Sequence, residues 1–252
     1  MHFQIKNSLD DYVAFGNENT AAFLTSDNEM VSALREFHDF FPRSLWVGDV
    51  QMTPPQGFLS MNAYMLYSSA IRMSLTGHVA ATFPLFRTAL ESACYAYLMG
   101  EDSALEGIWM NRHDSPEAEK ACRAKFTSAV KLAAAAIERG GNAEAGTEKW
   151  INDCYQAAID FGAHPNPRSV IRHIEEPVDE GNEWLVSLTG IYNHDSAEAH
   201  TNLMACMDYG LVVALVLLHA QRNSASTSEA AAELRRLNEL KNTLEDRYRV
   251  GP

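Results

Sequence analysis

The chain has 252 residues, 46% of them hydrophobic and 21% charged, with a formal net charge of −13 at pH 7. That length supports a sizeable core in one large domain, and the composition excludes a disordered polymer. The acidic balance argues against a generic phosphate-binding surface, so DNA is not an expected partner.

The start, MHFQIKNSLDDY, lacks the basic-then-apolar order of a signal peptide. Ser8-x-x-Asp11 offers a helix start, and residues 8–24 predict a loosely amphipathic helix interrupted near Gly16. Residues 27–41 predict a clearer helix, capped by Asp27 or Asn28 and stopped by Pro42, with Met30, Leu34, Phe37 and Phe41 inward and His38 half-buried. Residues 43–57, with Gly48, Pro54, Pro55 and Gly57, predict a loop. Residues 58–76 then predict a long helix, apolar nearly all round, in which Arg72 is an isolated cation.

Residues 79–100 predict the helix around which the rest is organised. On a helical wheel at about 100° per residue, Phe83, Phe86, Leu90, Ala93, Cys94 and Tyr97 form one apolar stripe. Arg87 falls inside that stripe and Glu91 at its edge, one turn on. A pair at i and i+4 is ordinarily a solvated surface pair. A charge on a core stripe must instead be paired or line a cavity. The pair is therefore a staple to a neighbouring helix, part of a site, or plainly exposed. Pro84 is expected to kink the first turns.

Residues 101–116 read as a connector. Residues 116–139 predict one helix, with Pro116 at its start, early acids and Gly140-Gly141 at its end. Another helix is predicted over 147–161. The segment Gly162-Ala163-His164-Pro165-Asn166-Pro167 forces an extended, rigid path. It either simply directs the chain onward or carries His164 and Asn166 to Arg87 and Glu91. SVIRHIE and EWLVSLTGIY alternate like strands around the polar PVDEGN, which predicts a β-hairpin over about 168–192. Asp195-x-x-Glu198 would cap a last core helix over 196–222. Its most apolar run, YGLVVALVLLHA, is too short to span a bilayer. NSASTS reads as a linker, and residues 229–249 predict an amphipathic helix with Leu234, Leu237, Leu240 and Leu244.

The predicted architecture is therefore mainly α: a multi-helix bundle around a central antiparallel hairpin, with one small β-hairpin. Residues 1–222 form the bundle, and 223–252 a linker and C-terminal amphipathic helix. The four cysteines are scattered without a CxxC and read as core residues of a reducing cytosol. No metal or cofactor is expected. ExxH, HExxH, the P-loop, GxGxxG and GxSxG are all absent from the sequence.

GHVAATFPLFRTALESACYAYLM with the later FGAHPN resembles a set of uncharacterised bacterial all-helical proteins that carry an R-x3-E-S helix and a downstream H-P-N. The resemblance covers roughly residues 58–220 and implies an intracellular bacterial helical bundle without an established activity. Some of that set are distant relatives of HEPN and abortive-infection proteins, which would imply a metal-independent ribonuclease. Its arginine–histidine spacing occurs here as Arg168/His173 and Arg72/His78, and RNA is a partner only under that reading. The leading expectation is a cytoplasmic protein that self-associates as a homodimer without touching a membrane. The other alternative is a binder of a small anion, using Arg72, Arg87, Glu91, His164 and Asn166.

Overall fold

The computed structural model describes residues 8–48, 50–141, 143–174, 178–179, 184–221 and 225–248. The expectations for the first seven residues, for most of PVDEGN and for the start of the linker lie outside the described residues.

Helix α1, Leu9–Thr25, starts as its sequence predicts: the Ser8 hydroxyl accepts from the Asp11 amide while the Asp11 carboxylate accepts from the Ser8 amide. Gly16 does not interrupt it. The glycine marks a close crossing, where a Cβ would stand 3.3 Å from the His78 ring. Helix α2, Glu29–Phe40, is capped by Asn28. Pro42 does not stop the chain there. The path continues as a π-helical turn, Phe41–Leu45, whose opening position does not need the missing N–H.

Helices α3, Pro54–Leu75, and α4, Val79–Glu101, form the expected central antiparallel hairpin. Helix α3 begins four residues earlier than predicted. Pro54 and Pro55 occupy its first turn, where backbone donors have no helical partner anyway, and Thr53 and Gln56 complete a capping box. Every residue of the predicted α4 stripe is buried.

Helix α10, Ala197–Ala220, lies along both and is capped by Ser196, not Asp195. By length and composition α10 could cross a membrane, yet 72% of its most apolar window is buried inside this protein. It acts as the third member of the core.

The segment read as a connector contains α5, Ala104–Met110. The single helix expected over 116–139 is two, α6, Pro116–Phe126, and α7, Ala129–Arg139. They break at Thr127-Ser128, where the Thr127 hydroxyl donates to the Arg123 carbonyl and so competes with the helix. The break turns Phe126 to stack on Tyr95, with ring centroids 4.3 Å apart.

Helix α8, Thr147–Ala158, runs into a second π-helical turn, Ile159–Ala163. The next segment overturns the strand prediction: residues Pro167–Ile171 are a short helix, α9. Alternation misled here because Asn166, Pro167 and Ser169 are a cap, a first-turn proline and a capping-box partner. Among the described residues there is no β-hairpin of the predicted extent. Extended pairing among the described residues is limited to Val178–Leu185, Asp179–Trp184 and Ile174–Leu188.

Helix α11, Ala225–Tyr248, begins inside the expected linker and packs on α10 and α2. Leu234, Leu237 and Leu244 are buried there, and Lys241 reaches Asp208 at 3.0 Å. The apolar seam of this helix thus faces its own bundle. All four cysteines are free thiols, three of them buried.

One polar knot ties distant parts together. The Asn19 side-chain amide donates to the Tyr192 carbonyl at 2.9 Å, and its oxygen accepts from the His194 amide at 3.0 Å. The Tyr192 amide donates to the Gly77 carbonyl at 3.0 Å. Helix α1, the α3–α4 turn and the entry to α10 meet at this point.

Candidate functional site

Two features stand out: a polar cluster on α4 and an apolar cleft beside it. The cluster depends on how α4 meets the second π-helical turn. Pro84 cannot donate to the Ala80 carbonyl. Gly162 lies against that turn so closely that a Cβ would stand 2.7 Å from the Ala80 oxygen and 3.1 Å from the Phe83 Cβ. The FPLFR and FGAHPN motifs therefore interlock through a proline on one side and a glycine on the other.

This contact places His164 beside α4. Arg87 Nε donates to Glu91 at 3.0 Å, and Arg87 Nη1 lies 2.8 Å from His164 Nε2. A guanidinium only donates, so His164 Nε2 is the acceptor. Tyr155 from α8 adds a member that the sequence reading missed: its hydroxyl donates to Glu91 at 2.7 Å, and Arg87 stacks 5.5 Å from its ring centroid. Burial works against the Arg87 charge, but Glu91 and Tyr155 hold its pKa above the ordinary arginine value. Burial and the bond to Glu91 also raise that of Tyr155.

Arg87 and Glu91 keep 26% and 30% of their side-chain surface exposed. Water screens the pair, and its net contribution stays near the few tenths of a kcal/mol of an ordinary i,i+4 pair. Every polar member already has a partner, which suits a staple between α4 and α8.

The remaining predicted site residues do not join the cluster. Arg72 is exposed and reaches Asn17. Asn166 caps α9, and its amide donates to the carbonyls of Ile159 and His164. Arg168 pairs with Asp160 at 3.1 Å, whereas His173 is buried with Nδ1 2.7 Å from the Tyr192 hydroxyl. His78 sits on the Thr76 hydroxyl at 2.7 Å. Neither arginine–histidine pair shares a hydrogen bond. Burial lowers the His173 pKa, and Arg172 adds to the effect. Among the described residues, no group of three or more His, Cys, Asp or Glu side chains is arranged to hold a metal ion.

The cleft has a volume of about 950 Å³ and opens between α8, α9, α10 and the start of α4. Phe83 and Tyr209 line it from the core side, Trp150 and Ala157 from α8, and Phe161 and Ile171 from the π-turn and α9. Tyr209 is fixed by a stack on Phe86, with centroids 4.2 Å apart, and by donating to the Cys154 carbonyl at 2.6 Å.

Polar groups reach this cleft at a few points. Asp208 pairs with Lys241 and Asp153 with Lys149. Burial raises the Asp208 pKa, and Lys241 opposes that rise. Asn202 accepts from Thr82 and donates to Ser74, both at 3.0 Å. The Arg172 guanidinium lies 5.1 Å from the Phe161 ring centroid and has no hydrogen-bond or ion-pair partner among the described residues. The strand prediction over its segment hid this residue, and a helix-cap reading of Asn166-Pro167 would have exposed it.

No family model, no curated protein and no solved structure matches the chain. Fold and site define a class only: an all-helical bundle with an apolar cleft flanked by a paired Arg–Glu–Tyr–His cluster.

Proposed function

We propose that the protein binds a small, predominantly apolar molecule in the cleft between α4, α8, α9 and α10. The observation that carries this reading is the cleft itself. Its volume of about 950 Å³ and its aromatic and aliphatic lining are those of a ligand pocket, with a few polar groups at fixed positions. Nile red, a neutral apolar dye, should bind the purified protein with a fluorescence increase. Ala205→Trp, which fills the cleft from α10, should weaken that binding at least tenfold at unchanged helix content. Equal dye affinity in both proteins would place the dye elsewhere and end this reading.

A second reading, self-association, is favoured by the outer face of α3. Phe58, Met61 and Met65 are 62%, 47% and 61% exposed there, on a helix without an acidic residue. Two copies of a chain with net charge −13 meet at least electrostatic cost through such a face. Sedimentation velocity should show a dimer at micromolar concentration that Met65→Glu dissociates. A wild-type monomer throughout the concentration series would remove this reading.

A further inference from the structure

We infer that the ligand is an amphipathic anion: an apolar body along the aromatic wall, with one carboxylate or similar oxyanion on Arg172. This rests on the reading of the cleft as the binding site and adds the chemistry of what enters it.

The charges around the cleft make the selection. Four side chains of the lining are formally charged: Asp153, Asp208, Arg168 and Arg172. Three are matched from outside the cleft, Asp153 by Lys149, Asp208 by Lys241 and Arg168 by Asp160. A cationic ligand would have to displace a lysine already seated on its carboxylate. Arg172 is the exception among the described residues: its guanidinium lies over the Phe161 ring and has neither an ion-pair nor a hydrogen-bond partner.

Stacking on an aromatic ring fixes the plane of a guanidinium and leaves its in-plane N–H donors free. Those donors match the two oxygens of a carboxylate, and such bidentate pairs are strong when partly screened from water. Arg172 is half-buried, so its pairing is neither fully solvated nor sealed away. Phe161 serves both halves of the ligand. It holds the arginine and also lines the cleft, in contact with Phe83 at a centroid separation of 5.6 Å. An apolar tail leaving the carboxylate therefore runs directly onto Phe83 and Tyr209. His173, next in the chain, is buried and has a lowered pKa. It adds no competing positive charge near neutral pH, so the anion preference belongs to Arg172.

The same chemistry is offered by a fatty acid and by an aromatic acid, and a titration series separates them. Dodecanoate below its micellar concentration, 2-naphthoate and neutral dodecanol are each titrated calorimetrically into wild type, Arg172→Met, Arg172→Lys and the remote control Arg123→Met. The expected result is at least tenfold tighter binding of one acid than of dodecanol. That preference should be lost in Arg172→Met, reduced in Arg172→Lys and kept in Arg123→Met, with dodecanol affinity unchanged throughout. Preference for dodecanoate identifies a lipid acid, and preference for 2-naphthoate an aromatic one. Equal binding of acids and alcohol, or an acid preference that survives Arg172→Met, overturns the inference and leaves the cleft reading standing. Failure of all three compounds to bind wild type overturns both. Arg172→Lys retains a cation at the site, so a folding defect confined to the methionine variant still leaves the inference open to refutation.

Discussion

Alanine at Gly77 should lower the unfolding free energy by about 2–5 kcal/mol. Two costs combine. The glycine has φ of +83°, a region that costs an L-residue roughly 1–2 kcal/mol. A Cβ there would also overlap the Tyr192 carbonyl oxygen and stand 2.9 Å from both the Asn19 amide nitrogen and the Ile191 side chain. Overpacking of that kind costs about 1–3 kcal/mol more. The obstruction is backbone already committed to the Asn19 knot, so it cannot step aside as a flexible side chain would. Against a total stability of roughly 5–15 kcal/mol for a folded protein, the loss would be large. Urea unfolding followed by circular dichroism measures it. Gly57→Ala is the control: it lies inside α3, and a Cβ added there would meet nothing within 4 Å. That change should be neutral or stabilising by up to about 1 kcal/mol. A loss below about 1 kcal/mol at Gly77 would show that the turn is not the constraint described.

The second large effect is expected where α10 crosses α3. Tyr67 is fully buried, and its hydroxyl has no hydrogen-bond partner among the described residues. A buried hydroxyl without a partner costs about 1–3 kcal/mol. Tyr67→Phe should therefore raise stability, by about 1 kcal/mol once the lost contacts of the oxygen are included. Gly210 explains why the hydroxyl fits: a Cβ at that position would overlap the Tyr67 oxygen and stand 3.1 Å from Phe37. Gly210→Ala should cost about 1–3 kcal/mol in the wild-type background. It should cost measurably less in the Tyr67→Phe background, because the first atom in the way is gone. A double-mutant cycle reads the difference directly. Additive effects would mean that the two positions do not share the space assigned to them.

The core was legible because its signal is local and periodic. The Phe83 to Tyr97 stripe needs only a helical repeat, and every member is buried. Caps were legible where a short polar side chain stood at a boundary, as at Ser8 and Asn28. What failed was punctuation. Pro42, Pro54 and Pro55 look like breaks in the sequence, yet proline is tolerated at the opening of a helical turn. Gly16 looks like an interruption in the sequence, yet it lies within α1 where the His78 ring comes close.

The candidate site divides along the same line. Arg87, Glu91 and His164 were named together from a charge on an apolar stripe and a rigid Pro-bounded segment, and they do meet. Arg72 was grouped with them by its apolar sequence neighbours, but the face it occupies on α3 is open. Tyr155 is not legible in the sequence, because its partners Arg87 and Glu91 come from a helix more than sixty positions away. Gly162 carried the missing information: only a close approach to another segment requires a residue without a side chain there.

The Asn19 knot also bears on how the chain comes to be folded during its synthesis. Asn19 and Tyr192 are separated by 173 positions. At about 5–20 residues added per second, α1 leaves the ribosome roughly 9–35 s before the carbonyl it must hold exists. Over that interval its Phe23 has no finished core to enter, whereas the α3–α4 hairpin closes through a three-residue turn as soon as both arms emerge. Helix α1 is thus made before the α3–α4 hairpin and seated after it.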